Sequence, residues 1–249
     1  MSTPARLFTE ERLATIVLDD AERRNVLSTS MFDALDSALE ESASASVIRI
    51  RATGPAFCAG FDLRECAGNQ EVLVEFVRRL GRIVQNLRRT PAVVVAEVQG
   101  PALAGGCALV SASDIALASQ RATFGYPVHR IGISPAVSLP TLLDSAELGA
   151  ARALALSGES IDAREAFDCG LIHALHEPTE LTEGADALCA KLLTYPADIL
   201  ATTKKSFDEL GDLADDDSLQ RSLAATSATA FSEEAARMLA AFWAKKAPS

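Results

Sequence analysis

The sequence predicts an α/β protein whose first two thirds pair mainly parallel strands through crossover helices and whose last third is helical. Three observations carry this expectation. β-Branched runs alternate with helical periodicity through the first two thirds, "AVVVAEV" (Ala92–Val98) is apolar enough for a strand covered on both faces, and from about Glu180 helical spacing dominates.

"ARLFTEE" (residues 5–11) and "LATIVL" (Leu13–Leu18) read as a hairpin turning near Glu10. Met31, Phe32, Leu35, Ala38 and Leu39 share one helical face, with Ser28 to Ser30 as capping candidates. Val47–Ile50 is a short strand. Glu71–Thr90 is the clearest helix: Leu73, Phe76, Val77, Leu80, Val84 and Leu87 form one stripe, and Arg78, Arg79, Arg82 and Arg88 mostly lie off it. After Ala92–Val98, where Glu97 is the one charge, come a glycine pair, a helix from about Gly105 and a strand near Asp114–Leu117. "EGADALCAKLLTY", "ADILATTKKSFDEL" and "SEEAARMLAAFWAKK" supply the closing helices, punctuated by Pro196 and Asp215–Asp217.

A chain of 249 residues fits one large domain, or one domain with a small appendage, and can bury a sizeable core. With 34 acidic against 23 basic residues the net charge is −11, which argues against nucleic acid held on a broad basic surface; a local basic pocket is compatible with it. The five cysteines are scattered with no C-x-x-C pair, so neither a disulfide framework nor a metal site is expected, and a reducing compartment fits best. The start lacks the basic end and apolar stretch of a signal peptide, and no apolar run is long enough to span a bilayer. The expected location is the cytoplasm, with no membrane partner. No Rossmann glycine fingerprint, P-loop or G-x-S-x-G elbow occurs.

Two segments share one design, a β-rich run, a turn of small residues and a helix: "VIRIRATGPAFCAGFDLRE", turning at Phe57–Asp62, and "AVVVAEVQGPALAGGCALV", turning at Gly100–Gly106. With the turns side by side, the N–H groups of Phe61 and Gly105 can converge on one oxygen, as in an oxyanion hole, and the helix starts reinforce the positive potential. Taken singly, either glycine turn is as well explained by close packing.

"AFCAGFDL", "EVQGPALAGGCALVSASDIALAS" and "ATFGYP" together resemble the enoyl-CoA hydratase/isomerase, or crotonase, superfamily. The resemblance extends to "RRNVLS", "ALALSGESIDAREAFDCGLIHAL" and "FSEEAARMLAAFWAKK", and so covers nearly the whole chain. Within the superfamily, "AEVQG" with no glutamate after "GC" is similar to the group called enoyl-CoA hydratase domain-containing protein 3.

This resemblance implies a crotonase-like spiral of β-β-α units over residues 1–190 and a helical region over 191–249 that serves oligomerisation and completes the CoA site. It implies a homotrimer or a dimer of trimers, an acyl-CoA thioester as ligand, and no cofactor beyond the coenzyme A of the substrate. By motif position Phe61 and Gly105 supply the oxyanion-hole N–H groups. Asp62, Leu63 and Arg64, which follow Phe61, join the substrate site. Arg24 falls at the nucleotide end, Phe231 and Phe242 near the adenine, and Lys245 at the ribose phosphate, where a helix-end lysine is also ordinary.

The catalytic glutamates of family hydratases match Ala108 in "GGCAL" and Val128 in "FGYPV", and a third position used by some isomerases matches Ala136 in "ISPAV". Hydrocarbon side chains can neither activate water nor deliver a proton, so ordinary hydration is expected to be weak or absent. Isomerase or decarboxylase-type chemistry through an enolate fits what is left, as does a catalytically silent acyl-CoA-binding homologue or oligomer partner.

Tyr126 and His129 flank the vacant second position and are candidate acids or bases, against the simpler reading that they pack or point to water. Glu65 reads as a solvated first-turn residue and Glu97 as a charge reaching either a strand end or an arginine partner, each with a lesser claim to the site. Cys107, near a helix start, is a candidate nucleophile against the simpler reading of a small buried residue. His173 and His176, three apart in an expected strand, make a poor metal pair.

Overall fold

The computed structural model describes residues 3–210, 216–230 and 232–244. Its strands are β1 (Ala5–Glu10), β2 (Leu13–Leu18), β3 (Val47–Ala52), β4 (Val93–Val98), β5 (Ala102–Leu103), β6 (Ile115–Ser119), β7 (Thr123–Gly125), β8 (Ser160–Asp162) and β9 (Ala174–His176). The helices are α1 (Thr29–Glu41), α2 (Gln70–Arg89), α3 (Gly105–Ser111), α4 (Leu139–Ser145), α5 (Leu148–Ser157), α6 (Ala163–Asp168), α7 (Leu181–Leu193), α8 (Ala197–Leu210), α9 (Asp216–Ala230) and α10 (Glu233–Ala244).

Strands β1-β2-β3-β4-β6-β9 form one sheet, in that order, and β5-β7-β8 a second. The β1–β2 hairpin is antiparallel and every later pair of the large sheet is parallel, as the strand–helix alternation requires. The chain alternates between the sheets: β4 leads to β5 and α3, and β6 leads to β7. Isolated bridges, Leu27 to Phe61 and Cys58 to Ala102, carry the same step through the earlier turns. This is the expected spiral of β-β-α units.

Period-two alternation sends Val94, Ala96 and Ile48 into the main core and Val47, Val93, Val95 and Leu117 into a second cluster closed by Leu181, Cys189 and Leu192 of α7. Strand β4 is buried throughout, as its apolar run predicts. Helix α7 runs across residue 190, where the boundary of the helical region was expected.

Ser28 caps α1, its hydroxyl accepting from Met31 N at 3.2 Å. Asn69 caps α2 in the same way, and the whole α2 stripe is buried. Each such side chain contributes about 1.5–3 kcal/mol through burial. Gly81 on that stripe admits α9: a Cβ there would lie 2.8 Å from Leu223 Cδ2. Helix α10 returns across the 127–132 turn, with Ala235 packed on Gly132.

Candidate active site

The two glycine turns are joined by backbone hydrogen bonds. Phe57 N and Cys58 N donate to Pro101 O at 3.0 and 3.2 Å, and Leu103 N donates to Cys58 O at 2.9 Å. A Cβ on Gly106 would lie 2.3 Å from Cys58 O and one on Gly100 2.1 Å from Pro55 O, so no larger residue fits between these backbones.

Leu27 fixes the direction of the Phe61 amide. Its N–H donates to Gly60 O at 2.8 Å and its carbonyl accepts from Asp62 N at 3.0 Å. Neighbouring peptide groups in extended chain face opposite edges, so the N–H of Phe61 faces away from Leu27. The Phe61 ring is wedged between Phe32 and Phe76, with centroids 6.2 and 5.7 Å away, which holds this backbone in place.

Gly105 is the first residue of α3, and its N–H is one of the donors a helix leaves unmade. Before it Ala104 takes φ 51°, ψ −113°, a conformation L-residues rarely adopt. Its N–H to Gly125 O (2.8 Å) and its carbonyl, accepting from Ala108 N (3.0 Å), lock it there. Among the described residues neither Phe61 N nor Gly105 N donates to a backbone carbonyl.

Both residues line a cavity of about 690 Å³, within the usual range for a small-molecule site. Its open end is marked by the exposed Glu22, Arg24, Arg64 and Arg130. Its buried wall carries the hydrocarbon side chains Val77, Leu80, Ile131, Ile133 and Val137, beside the buried hydroxyl residues Ser138 and Thr226. Thr226 of α9 and Phe242 of α10 also line it.

A model of the enoyl-CoA hydratase/isomerase family matches residues 9–249. The chain belongs to that family. Enoyl-CoA hydratase domain-containing protein 3, mitochondrial, of Rattus norvegicus is 33% identical over 206 residues, which are 80% of this chain and 68% of that protein. The crystal structure of the human enoyl coenzyme A hydratase domain-containing protein 3 matches with a TM-score of 0.79 and 26% identity, over 99% of each chain. An enoyl-CoA hydratase from Mycobacterium avium matches with a TM-score of 0.86 and 28% identity, over 100% of this chain and 99% of that one. The crotonase-like fold and the resemblance to the domain-containing protein 3 group are thus borne out.

In this enoyl-CoA hydratase/isomerase family member, Val128 lines the cavity, whereas Ala108 and Ala136 are buried and do not. Arg24, Asp62, Leu63 and Arg64 all line it. Burial alone would push the Asp62 carboxyl up, but hydrogen bonds from Arg64 and the charges of Arg64 and Arg23 hold it below its ordinary value. Arg64 Nη2 is 2.9 Å and Arg23 Nη1 3.4 Å from Asp62 Oδ2.

The two acid–base candidates, Tyr126 and His129, are placed differently from one another. Tyr126 is among the residues that line the cavity, but its hydroxyl is buried beside Cys107, Ser111 and Ser138, and that burial above all raises its pKa well over the ordinary value. His129 does not line the cavity; it is exposed on the turn after Pro127, with Nδ1 beside Gly158. The Cys107 thiol is pushed up to about 12 by complete burial, against hydrogen bonding with Tyr126 and Gly125, so it is no thiolate.

Glu65 caps α1 instead of facing the cavity, accepting from Thr29 N at 3.1 Å and Thr29 Oγ1 at 2.6 Å. Glu97 pairs with Arg49, as a lone charge in an apolar strand implied, and also accepts from Thr182 Oγ1 at 2.7 Å. His173 lies just before β9, not within it. Phe231 and Lys245 lie outside the described residues. Among the described residues no group of three or more His, Cys, Asp or Glu side chains is arranged to hold a metal ion, and no helix is long and apolar enough to cross a membrane.

Sequence reasoning missed Arg23, Arg130 and Thr226 in the lining. The "RR" pair before Asn25 was a usable signal for Arg23. Nothing local marks Thr226, whose hydroxyl accepts from Val137 N at 3.0 Å across 89 residues.

Proposed function

We propose that this protein binds an acyl-CoA thioester and polarises its carbonyl through the N–H groups of Phe61 and Gly105, driving chemistry through an enolate. One observation carries this reading: two donors from turns packed against each other, neither bonded to a backbone carbonyl, line one cavity. Loss of one such donor typically costs about 3 kcal/mol of transition-state stabilisation. The positive end of α3 adds to the attraction for a developing oxyanion.

In this reading Arg24 and Arg64, exposed in the cavity lining, supply cations suited to the phosphates of coenzyme A, and the apolar lining suits the acyl chain. Coenzyme A enters as part of the substrate. Assembly as a homotrimer or dimer of trimers belongs to the same reading. Ordinary hydration should be weak or absent, because Ala108, Val128 and Ala136 stand where proton-transfer groups are needed. The same three residues favour a second reading, a catalytically silent acyl-CoA-binding homologue or oligomer partner.

Two measurements test this. Binding of butyryl-CoA should exceed that of the matching thioether, which lacks the carbonyl oxygen, by roughly tenfold, as one hydrogen bond of about 1.4 kcal/mol gives; equal affinities would remove the N–H pair from recognition. Enoyl-, malonyl- and hydroxyacyl-CoA esters followed by mass spectrometry should yield product from at least one class, and binding without turnover throughout favours the silent homologue.

A further inference from the structure

Resting on the thioester-binding reading, we infer that this site's reaction is loss of carbon dioxide from a 2-carboxyacyl thioester, an ester of the malonyl type. The lining of the cavity separates the enolate reactions. Isomerisation must lift a proton from one carbon and return it to another, and so needs a basic, accessible group. Among the described residues, the lining holds two carboxylates and no imidazole. Asp62 is buried and engaged by Arg64 and Arg23. Glu22 is exposed, at the guanidinium-rich open end with Arg23 and Arg24. The Tyr126 hydroxyl is buried.

Decarboxylation needs no protein base. The bond from the α-carbon to the carboxylate breaks, and its electron pair forms the enolate with its charge on the thioester oxygen. The carboxyl carbon leaves as CO2. Water then protonates the α-carbon, and the hydroxide left over combines with CO2 as bicarbonate.

Negative charge thus moves from the carboxylate to the thioester oxygen, and the cavity favours that direction. Val77, Leu80, Ile133 and Val137, with Val128, offer a carboxylate hydrocarbon in place of water, which disfavours the ion and not neutral CO2. At the other end of the charge movement, the N–H groups of Phe61 and Gly105 meet the new oxyanion. A carboxylate at position 128, which Val128 replaces in the lining, would repel the substrate's own carboxylate.

The test uses the full chain with malonyl-CoA and methylmalonyl-CoA labelled with 13C in the free carboxyl group, in D2O, beside a butyryl-CoA titration. Labelled bicarbonate and a decarboxylated thioester carrying one deuterium at the α-carbon should form in equal amounts, about 100-fold or more above the uncatalysed rate, the scale of oxyanion stabilisation. Val128→Asp, placing a charge in the wall, should slow that release roughly tenfold or more. Butyryl-CoA binding with no label released from either ester overturns this inference alone. No binding of butyryl-CoA overturns the thioester reading itself. Conversion of a 3-enoyl-CoA to its 2-enoyl isomer with no CO2 release from the carboxylated esters overturns it in favour of isomerisation.

Discussion

Gly60 and Gly105 lie against each other across the two turns: a Cβ built on Gly60 would sit 3.8 Å from the Gly105 nitrogen, and 3.0 Å from the Cβ of Ala104. Gly60 also has φ +88°. Gly60→Ala should therefore lose about 1–2 kcal/mol to backbone handedness and displace the Gly105 amide. Thioester affinity should fall further than stability accounts for. Urea midpoints and butyryl-CoA titration of the same samples check this, and a stable variant with unaltered affinity would show that the turn spacing is not critical.

Restoring a glutamate after the Gly-Gly-Cys should not restore hydration. Ala108 is fully buried in α3 and outside the lining of the cavity, so Ala108→Glu buries an unpaired carboxylate. The expected cost is about 3 kcal/mol or more. Chemical denaturation measures the loss, and crotonyl-CoA hydration should stay near background.

Arg49 and Glu97 form a buried pair between β3 and β4, with Nε donating to Oε2 at 2.7 Å. Glu97→Ala leaves a buried guanidinium with Asp186 as its one remaining acidic partner among the described residues and should cost about 3–5 kcal/mol. The double variant Arg49→Met/Glu97→Leu should recover much of that. A melting series of the two single variants and the double variant tests it; equal losses in all three would mean that the unpaired charge is not the cause.

Stability should fall on mild acidification through His173. Partial desolvation of this surface side chain holds its pKa below the ordinary value of 6.5, with the Ala116 hydrogen bond and Asp114 acting in the opposite direction, and its Nδ1 accepts from Ala116 N at 3.0 Å. The unfolded chain then binds the extra proton first. The contribution is present above about pH 6.5 and is lost as pH falls through the lowered value. Carboxylates such as Asp62, held low by Arg64 and Arg23, titrate in a separate, more acidic window. Urea midpoints from pH 8 to 5 should decline in wild type and flatten in His173→Gln.

Arg24 gives a salt-sensitive prediction. It is exposed at the open end of the cavity, so Arg24→Glu should weaken full CoA esters several-fold and barely affect a pantetheine thioester, which lacks the nucleotide phosphates. The contrast should shrink with added salt, because exposed charges are screened over roughly 10 Å at 0.1 M. The same ratio of affinities in variant and wild type would exclude Arg24 from the nucleotide end.

The sequence by itself determined whatever a local period or a short string encodes. The hairpin, the α2 stripe, the doubly covered β4 and the two glycine turns were all legible, as was hydrocarbon at 108, 128 and 136. Side-chain patterns of period 2 and 3.6, and glycines where backbones must touch, leave a mark within a few residues. Only the tertiary structure decided where the chemically capable side chains point. Tyr126 and His129 are three residues apart in one turn, yet one hydroxyl is buried behind α3 and the other side chain faces solvent. Glu65 was taken up by the start of α1 across 36 residues, and Thr226 and Phe242 were brought to a cavity built largely from the first 138 residues. Such placements depend on which distant surface fills the space beside a side chain, and packing of that kind has no local period to betray it.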